Sequence, residues 1–448
     1  MENSPHAVID VAAVIDRGRW SAFQKGVLVL LALAVVLDGF NNQIIGFALP
    51  AILKDWGRQR AEFAPVVSGG LVGMAVGTFL GGLGGDRWGR KPSLIASVLL
   101  FGVASGLTSL AHTPLEIGVL RFISGMGIGG ALPNASTLAA EFTPARKRAM
   151  AVTCTIVCVP LGGLAGGLLA AEVLPSLGWR ALYVMAGAAP LVIAVILWLL
   201  LPESPSFLAR RPGRSEELNR FLRRCGPVGE EDVRVVAPAP VQASERKRGL
   251  RALFEPFYAR DTAFLWLVFF SSQAGVYLIF TWLPTLLADR GFGLGVTSTG
   301  LMATNLGGVI GALVGARAIE AFGSRRAMTA LALGAAASAG VLYCAHIAPG
   351  GTLMGLIGLL AVQGFFLNGV QTTVYALTAH VYLADVRATG SGTALAVGRA
   401  GGIFSAFAGA ALLADAGRPF FAALAIVMAL AAGGLLMVGR HIPPQDAA

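Results

Sequence analysis

Twelve long apolar stretches are the feature that most restricts the folds open to this chain. Each holds roughly 20 residues or more, the length that an α-helix needs to cross a bilayer core of about 30 Å. Hydrocarbon offers no partner to a backbone amide, so a spanning segment is a helix or part of a closed barrel. Long, glycine-rich stretches without alternation indicate helices. The stretches cover about 24–49, 63–83, 93–111, 115–140, 149–171, 181–201, 261–287, 297–319, 327–347, 352–380, 389–413 and 419–439.

The composition supports the same class. Of the 448 residues, 55% are hydrophobic and 13% are charged, whereas a soluble protein of this size carries roughly 25% charged residues. The sequence therefore predicts an all-α membrane protein with twelve transmembrane helices surrounded by membrane lipid.

The chain also repeats itself. The run LPAILKD at 49–55 returns as LPTLLAD at 283–289, 234 positions later. Glycines with a four-residue spacing recur at the same offset, namely Gly73, Gly77 and Gly81 and then Gly307, Gly311 and Gly315. Duplication of a six-helix unit is typical of secondary transporters, whose substrate site lies between the halves near the membrane midplane. The predicted units are a tail at 1–23, a first bundle at 24–201, a loop at 202–260, a second bundle at 261–439 and a tail at 440–448.

The basic residues are distributed unevenly between the connecting segments. With the N-terminus inside, 26 of the 34 Lys and Arg residues fall in cytoplasmic segments, six in external segments and two within spans. This asymmetry follows the positive-inside rule and predicts that both termini are cytoplasmic. The net charge of +10 is therefore explained by topology, and no nucleic-acid partner is expected. We predict a monomer in a bacterial inner membrane.

The sequence gives no sign of a cofactor. The four cysteines, Cys154, Cys158, Cys225 and Cys344, lack metal-ligand spacing. No Gly-Lys-Ser/Thr follows a glycine loop, which argues against direct use of ATP. We expect neither a metal ion nor a cofactor.

Three charged residues lie inside predicted spans: Asp38, Arg121 and Arg399. A charge at the bilayer centre costs about 3 kcal/mol on insertion scales, so such residues usually face a cavity and mark a transport path. One acid and two arginines leave a positive interior, which favours an anionic passenger. The pattern predicts a carrier of organic anions.

Asp38 and Arg121 are predicted to form an ion pair. At 1.5 Å per residue, Asp38 lies about 16 Å and Arg121 about 9 Å below the outer helix ends. The uncertainty of those ends and the length of an arginine side chain allow the two groups to meet. If this ion pair has a function in transport, Asp38 binds a proton and then releases Arg121.

Other polar and aromatic residues within spans are candidates to line the path. Gln371 and Tyr375 share a helix face, which favours them. Together with Asp38, Arg121 and Arg399, the predicted substrate-binding residues are Phe40, Asn41, Gln273, Tyr277, Asn305, Gln371 and Tyr375.

The loop GGLGGDRWGRK at 81–91 resembles the signature loop of the major facilitator superfamily, and ARAIEAFGSRR at 316–326 is a weaker copy. LRFISGMG at 120–127 resembles that superfamily's fourth-helix motif. The resemblance implies two six-helix bundles and a cytoplasmic clamp centred on Asp86, which joins the two halves. The predicted gate residues are Gly85, Asp86, Arg87, Gly89, Arg90, Glu141, Arg148 and Glu320.

The sequence of the first span resembles one particular family within this superfamily. LDGFNNQIIGFALP at 37–50 is similar to the first helix of the aromatic acid:proton symporter family, as are GGALPNA at 129–135 and the segment 387–402. The resemblance implies a role of Asp38 in proton coupling and substrate handling, and binding of the substrate carboxylate by Arg399. The family usually has a second acid at the position of Asn41, so the number of coupled protons stays open.

The sequence thus predicts a proton-coupled symporter that imports small aromatic carboxylates, such as hydroxybenzoates, by alternating access. A symporter of sugar acids or other aliphatic anions shares the same arginine chemistry. A substrate sensor with a transporter fold is a further alternative, although no signalling domain is appended. A membrane enzyme is disfavoured because no catalytic constellation lies at membrane depth.

Overall fold

The structure is a computed structural model that describes most of the chain. The described residues are 8–9, 15–16, 20–209, 211, 214–225, 234–235, 250–345, 347–348, 352–382, 384–413 and 418–444. Most of the predicted tail at 1–23, the loop segments 226–233 and 236–249, and residues 445–448 lie outside them. The predicted domain boundaries stay predictions.

The first half consists of long helices joined by short turns. Helix α5 is 56 residues long, but Gly178 interrupts it with a non-helical φ of 77° and ψ of 179°. A straight helix of that length would measure about 84 Å, more than twice the bilayer core, so α5 holds two spans. The helices are α1 (Ala22–Trp56), α2 (Ala64–Trp88), α3 (Arg90–Thr108), α4 (Pro114–Glu141) and α5 (Ala145–Leu200).

The second half follows two short connecting helices. Eleven helices within the described ranges are long and apolar enough to cross a membrane. Because α5 counts twice, the predicted twelve spans are confirmed. The remaining helices are α6 (Pro205–Ala209), α7 (Ser215–Cys225), α8 (Ala259–Asp289), α9 (Leu294–Phe322), α10 (Ser324–Cys344), α11 (Leu353–Val381), α12 (Ala384–Leu412) and α13 (Arg418–Met437).

Short segments outside the spans complete the fold. Strand β1 (Val8–Ile9) pairs in parallel with β2 (Arg234–Val235), and 3-10 turns occur at Arg60–Phe63 and Leu250–Phe254. We call the membrane face at which α1 begins the terminal face. The opposite face, at which α1 and α8 end, is the distal face.

Glycines allow the helices within each bundle to pack closely. A Cβ atom at Gly77 of α2 would lie 1.9 Å from the carbonyl oxygen of Met126 in α4. At the equivalent place in the second half, a Cβ atom at Gly311 of α9 would lie 1.9 Å from the carbonyl oxygen of Phe365 in α11. Small residues permit such backbone contact in membrane bundles. The repeat seen in the sequence therefore corresponds to the same helix pair in each bundle.

The interface between the bundles positions the site. Helix α1 packs against α8, α2 against α12, and α5 against α9. Asp38 and Arg121 belong to the first bundle, and Arg399 belongs to the second. The charged residues of the spans therefore come from both sides of this interface.

Candidate functional site

Asp38 is deeply buried in α1. The residue is 3% exposed, and its Oδ1 atom has no hydrogen-bond partner among the described residues. An unpaired ionised carboxylate is costly in a low-dielectric interior. Arg399, across the bundle interface, attracts the Asp38 carboxylate electrostatically.

Arg121 binds backbone carbonyls and does not pair with Asp38. Its Nη1 donates to the carbonyl oxygen of Asn41 at 2.9 Å and its Nη2 to that of Asn42 at 3.4 Å. The predicted ion pair between Asp38 and Arg121 was therefore wrong. The guanidinium lies about one helical turn closer to the distal face than Asp38. The reason is that Arg121 lies near the distal end of α4.

Arg399 of α12 is held by a tyrosine from the same bundle. Its Nη1 donates to the hydroxyl oxygen of Tyr277 at 2.7 Å and lies 3.8 Å from the sulfur of Met74, in the first bundle. Its buried Nε atom has no hydrogen-bond partner among the described residues. A buried guanidinium donor without a partner is available to an anionic ligand.

Aromatic and amide side chains surround this arginine. Gln371 donates to the hydroxyl oxygen of Tyr375 at 3.2 Å, and that hydroxyl also interacts with the amide of Gln273. Tyr375 stands edge-on to Phe269, with ring centroids 5.5 Å apart, and lies within electrostatic range of Arg399. The structure thus brings Gln273, Tyr277, Gln371 and Tyr375 together around Arg399. We call these five residues with Asp38 the central cluster.

Phe40 and Asn41 point elsewhere. The Nδ2 atom of Asn41 donates to the carbonyl oxygens of Leu37 and Ala186, each at 3.1 Å. A Cβ atom at Gly166 would lie 2.3 Å from Cδ2 of Phe40, so this ring fills the contact between α1 and α5. Both residues lie at the contact of α1 with α5 and not in the central cluster.

The side chain of Asn305 is also hydrogen-bonded within the protein. It donates to the Oε1 atom of Gln43 at 2.8 Å, and Gln43 donates back to its Oδ1 atom at 3.0 Å. Both residues are at most 1% exposed. A Cβ atom at Gly163 would lie 2.3 Å from Nε2 of Gln43, so a glycine is required there. This Gln43–Asn305 amide pair joins the bundles. Gln43 was not predicted, because the sequence around a single amide residue does not indicate which distant residue it will bind.

The signature loop at the terminal face forms contacts within the first bundle. Asp86 accepts a hydrogen bond from Arg90 at 2.5 Å, and Gly85 leaves room for the Arg90 side chain. Gly89 makes the turn between α2 and α3 with a φ of 114°. The carbonyl oxygen of Arg87 accepts from Arg211 at 2.7 Å. Among the described residues, the bonds of Asp86 stay in the first bundle, so the expected clamp to the second half is not seen.

The other predicted gate residues are spread over the same face. Glu141 accepts a hydrogen bond from the Ser204 hydroxyl. Arg148 pairs with Asp16 at 3.0 Å and donates to the Ala140 carbonyl oxygen at 3.1 Å. Glu320 is exposed and makes no hydrogen bond or ion pair with the described part of the chain. The second copy of the signature loop therefore does not reproduce the contacts of the first.

At the distal face an ion pair joins the bundles. Arg60 pairs with Asp289 at 3.1 Å and donates to the Leu413 carbonyl oxygen at 2.8 Å. Sequence reasoning missed this pair, although Asp289 ends the second copy of the repeated seven-residue motif. In the first copy, Asp55 instead accepts from Trp179 and Arg180 of its own bundle, at 3.0 and 3.1 Å.

The described residues around Arg399 hold carboxylate, guanidinium, phenol and amide groups. Within the described ranges, His, Cys, Asp and Glu side chains do not form a group of three that would hold a metal ion. The chemistry available to the central cluster is that of one carboxylate, one guanidinium and several phenol and amide groups. These groups bind anions and protons and offer no activated nucleophile.

The arrangement of two bundles around a charged interface defines a class of membrane carrier. Residues 31–406 match the Major Facilitator Superfamily, and the chain belongs to that family. It is an integral, multi-pass membrane protein and a transporter, not an enzyme.

Comparison with known proteins agrees with the predicted resemblance. The chain is 35% identical to a gallate transporter of Pseudomonas putida over 97% of this chain and 96% of the relative. It is 35% identical to the 4-hydroxybenzoate transporter PcaK of Pseudomonas aeruginosa over 96% of each. The resemblance to aromatic acid carriers is thereby confirmed.

A solved structure confirms the fold. The partially occluded inward open conformation of the xylose transporter XylE from E. coli superposes with a TM-score of 0.73. The match covers 94% of this chain and 99% of XylE at 18% identity. At that identity the likeness concerns the fold alone.

Proposed function

We propose that this protein is a proton-coupled symporter that imports small aromatic carboxylates by alternating access. It operates in a bacterial inner membrane with both termini in the cytoplasm, so that the distal face is external. The observation that carries the proposal is the unpartnered Nε atom of Arg399, in a cluster with Tyr277, Tyr375 and Asp38. The relatives that transport gallate and 4-hydroxybenzoate support the choice of cargo.

The free edge of Arg399 suits a carboxylate. Tyr277 occupies Nη1, while Nε and Nη2 make no hydrogen bond with the described residues. Two parallel N–H groups on one edge of a guanidinium bind the two oxygens of a carboxylate in a fixed orientation. The rings of Tyr277, Tyr375 and Phe269 then contact the aromatic ring of the cargo, since aromatic pairs favour edge-to-face or offset arrangements.

Proton coupling follows from competition for one cation. Asp38 and the cargo carboxylate both draw on the positive charge of Arg399, and one guanidinium cannot neutralise two desolvated anions. Binding of the cargo is therefore accompanied by uptake of a proton on Asp38. Asn41 is neutral and hydrogen-bonded to backbone, so Asp38 alone among residues 37–50 carries a proton.

Alternating access requires that contacts between the bundles break and form. The Gln43–Asn305 amide pair and the Arg60–Asp289 ion pair both cross the interface on the distal side. We infer that both separate when the carrier opens outward, as rigid bundles rock around a fixed central site. The same motion exposes the central cluster to one face at a time.

Uptake into proteoliposomes tests this function. Labelled 4-hydroxybenzoate is added outside at a pH lower than that of the interior, and protein-free liposomes correct for diffusion of the neutral acid. Accumulation above that background, abolished by a protonophore and reduced by unlabelled benzoate but not by gluconate, is the expected result. Competition by gluconate with no competition by benzoate would favour an aliphatic sugar acid as cargo. Absence of gradient-driven uptake of every acid tested would contradict symport.

A further inference from the structure

A cavity of about 740 Å³ lies at the distal face between the two bundles. It is lined by the ends of α1 and α8, by the turn that follows each, and by Ala410 of α12. Asp38, Arg121 and Arg399 are not among its lining residues, so it is separate from the central cluster. Its volume lies within the range of roughly 300–1,000 Å³ that is typical of small-ligand sites. We call it the distal vestibule.

The vestibule is positively charged. Lys54, Arg58 and Arg60 line it, against one carboxylate, that of Asp289. Arg58 pairs with Glu62 at 3.4 Å, whereas Lys54 is exposed and makes no ion pair with the described residues. A cleft with an excess of one sign of charge concentrates ligands of the opposite sign. The vestibule therefore favours an anion.

Apolar side chains lie beside these cations. Leu53, Phe292 and Leu294 line the same space, and all three pack against the hydrophobic core of the protein. A pocket that combines apolar walls with a few polar groups binds a ligand with an apolar body and a charged end. An aromatic monocarboxylate has both.

Arg60 connects this cavity to the closure of the distal side. Its side chain is 32% exposed and that of Asp289 is 36% exposed, so their 3.1 Å ion pair borders the open space. Ion pairs this exposed are held weakly, and a second carboxylate that reaches Arg60 competes directly with Asp289. The same arginine therefore serves both the contact between the bundles and any anion in the vestibule.

We propose that the distal vestibule is a second binding site for the aromatic carboxylate, held there by Lys54 and Arg60 before it reaches the central cluster. The inference rests on the proposed function, which supplies the cargo. Occupation of the vestibule releases Asp289 from Arg60 and thereby weakens the contact that keeps the distal side closed. The cargo thus promotes its own access to the central cluster.

Equilibrium binding of labelled 4-hydroxybenzoate to the purified protein tests the proposal. We expect two sites in the wild type and one in Arg399→Ala, which removes the central site. In the Arg399→Ala background, Lys54→Gln is expected to weaken the remaining site about tenfold and Lys54→Arg to preserve it. Arg180→Gln, a charge loss at the distal face outside the vestibule, is the matched control and is expected to leave the site unchanged.

Location and ligand charge give independent readouts. Photolabelling of Arg399→Ala with 4-azidobenzoate is expected to modify peptides within 50–61 or 285–294, and 4-hydroxybenzamide, which lacks the charge, is expected not to compete. Complete loss of binding in Arg399→Ala that still folds, or residual binding unaffected by Lys54→Gln, would overturn the vestibule site. If the wild type transports 4-hydroxybenzoate in the uptake assay, complete loss of binding in Arg399→Ala contradicts only the proposed vestibule site. If the wild type does not transport 4-hydroxybenzoate, the proposed function itself is contradicted.

Discussion

Arg399 donates a hydrogen bond of 2.7 Å to the hydroxyl of Tyr277, and this contact fixes which edge of the guanidinium is occupied. The opposite edge includes Nε, which has no partner among the described residues. The arginine is therefore oriented by its own bundle while its remaining donors are kept for a ligand. Asp38, on the other bundle, competes for the same charge.

Asp38→Asn is expected to uncouple transport from the proton gradient. An amide has nearly the shape of a carboxylic acid but cannot release or take up a proton. Accumulation of 4-hydroxybenzoate driven by a pH gradient should fall to the protein-free background, while exchange of labelled for unlabelled cargo persists. Asp38→Glu, which keeps the titratable group, is the control that should retain some accumulation. Gradient-driven accumulation by Asp38→Asn would remove Asp38 from the coupling mechanism.

The Gln43–Asn305 amide pair is expected to show strong energetic coupling. Asn305→Leu leaves the buried Gln43 amide without its partner, which costs about 1–3 kcal/mol. Gln43→Met costs a similar amount for the same reason, and the double variant should be less destabilised than the sum of the two. Thermal unfolding in detergent measures each effect. Strictly additive losses would mean that the pair contributes nothing as a pair.

Gly77→Ala is expected to disrupt the packing of α2 on α4. The added methyl would lie 1.9 Å from the Met126 carbonyl oxygen, so the helices must separate, at a cost of about 1–3 kcal/mol or more. Gly340 lies inside α10 with nothing within 4 Å of its would-be Cβ, and Gly340→Ala is the matched control. We expect a lower melting temperature for Gly77→Ala and an unchanged or slightly higher one for Gly340→Ala. Equal effects would contradict the close helix contact.

The segment after α13 is expected to detach in mild acid. Nε2 of His441 lies 3.0 Å from the Leu435 carbonyl oxygen and must donate to it, so Nδ1 of the neutral ring accepts from the Ser324 hydroxyl, also at 3.0 Å. Burial lowers the pKa of His441. The unfolded segment therefore binds a proton more readily, and the stability of the docked segment falls as the pH drops below about 6.5.

Hydrogen exchange of residues 438–444 at pH 7.5 and 5.5 measures this effect. Wild-type protein should lose protection at the lower pH, and His441→Gln should show a much smaller difference between the two values. The same pH dependence in both proteins would assign it to another group.

The sequence predicts the architecture well because its signals are local or periodic. Apolar stretches mark spans one at a time, and the repeated glycines mark the same helix pair twice, at Gly77 and Gly311. Arg399 is marked by its charge inside a predicted span, and Gln371 and Tyr375 are marked by their one-turn spacing on one helix face.

Contacts between distant helices were beyond that reasoning. The helix depths allow Arg121 to reach Asp38, but only the structure shows that its guanidinium ends on the carbonyl oxygens of Asn41 and Asn42. Asn305 was expected to face the cargo, and its partner Gln43 lies 262 positions away. Rotation of each helix about its axis decides such pairs, and no local pattern encodes it.

The affinity of the central site for 4-hydroxybenzoate, compared between wild type and Arg399→Ala, tests the central claim most directly. Loss of the two free donors predicts an increase of at least about 100-fold in the Kd of the central site, which corresponds to about 2.7 kcal/mol. Arg399→Lys, which keeps the charge but not the planar fork, should lie between the two proteins. An unchanged Kd for the central site in a correctly folded Arg399→Ala protein would contradict the account.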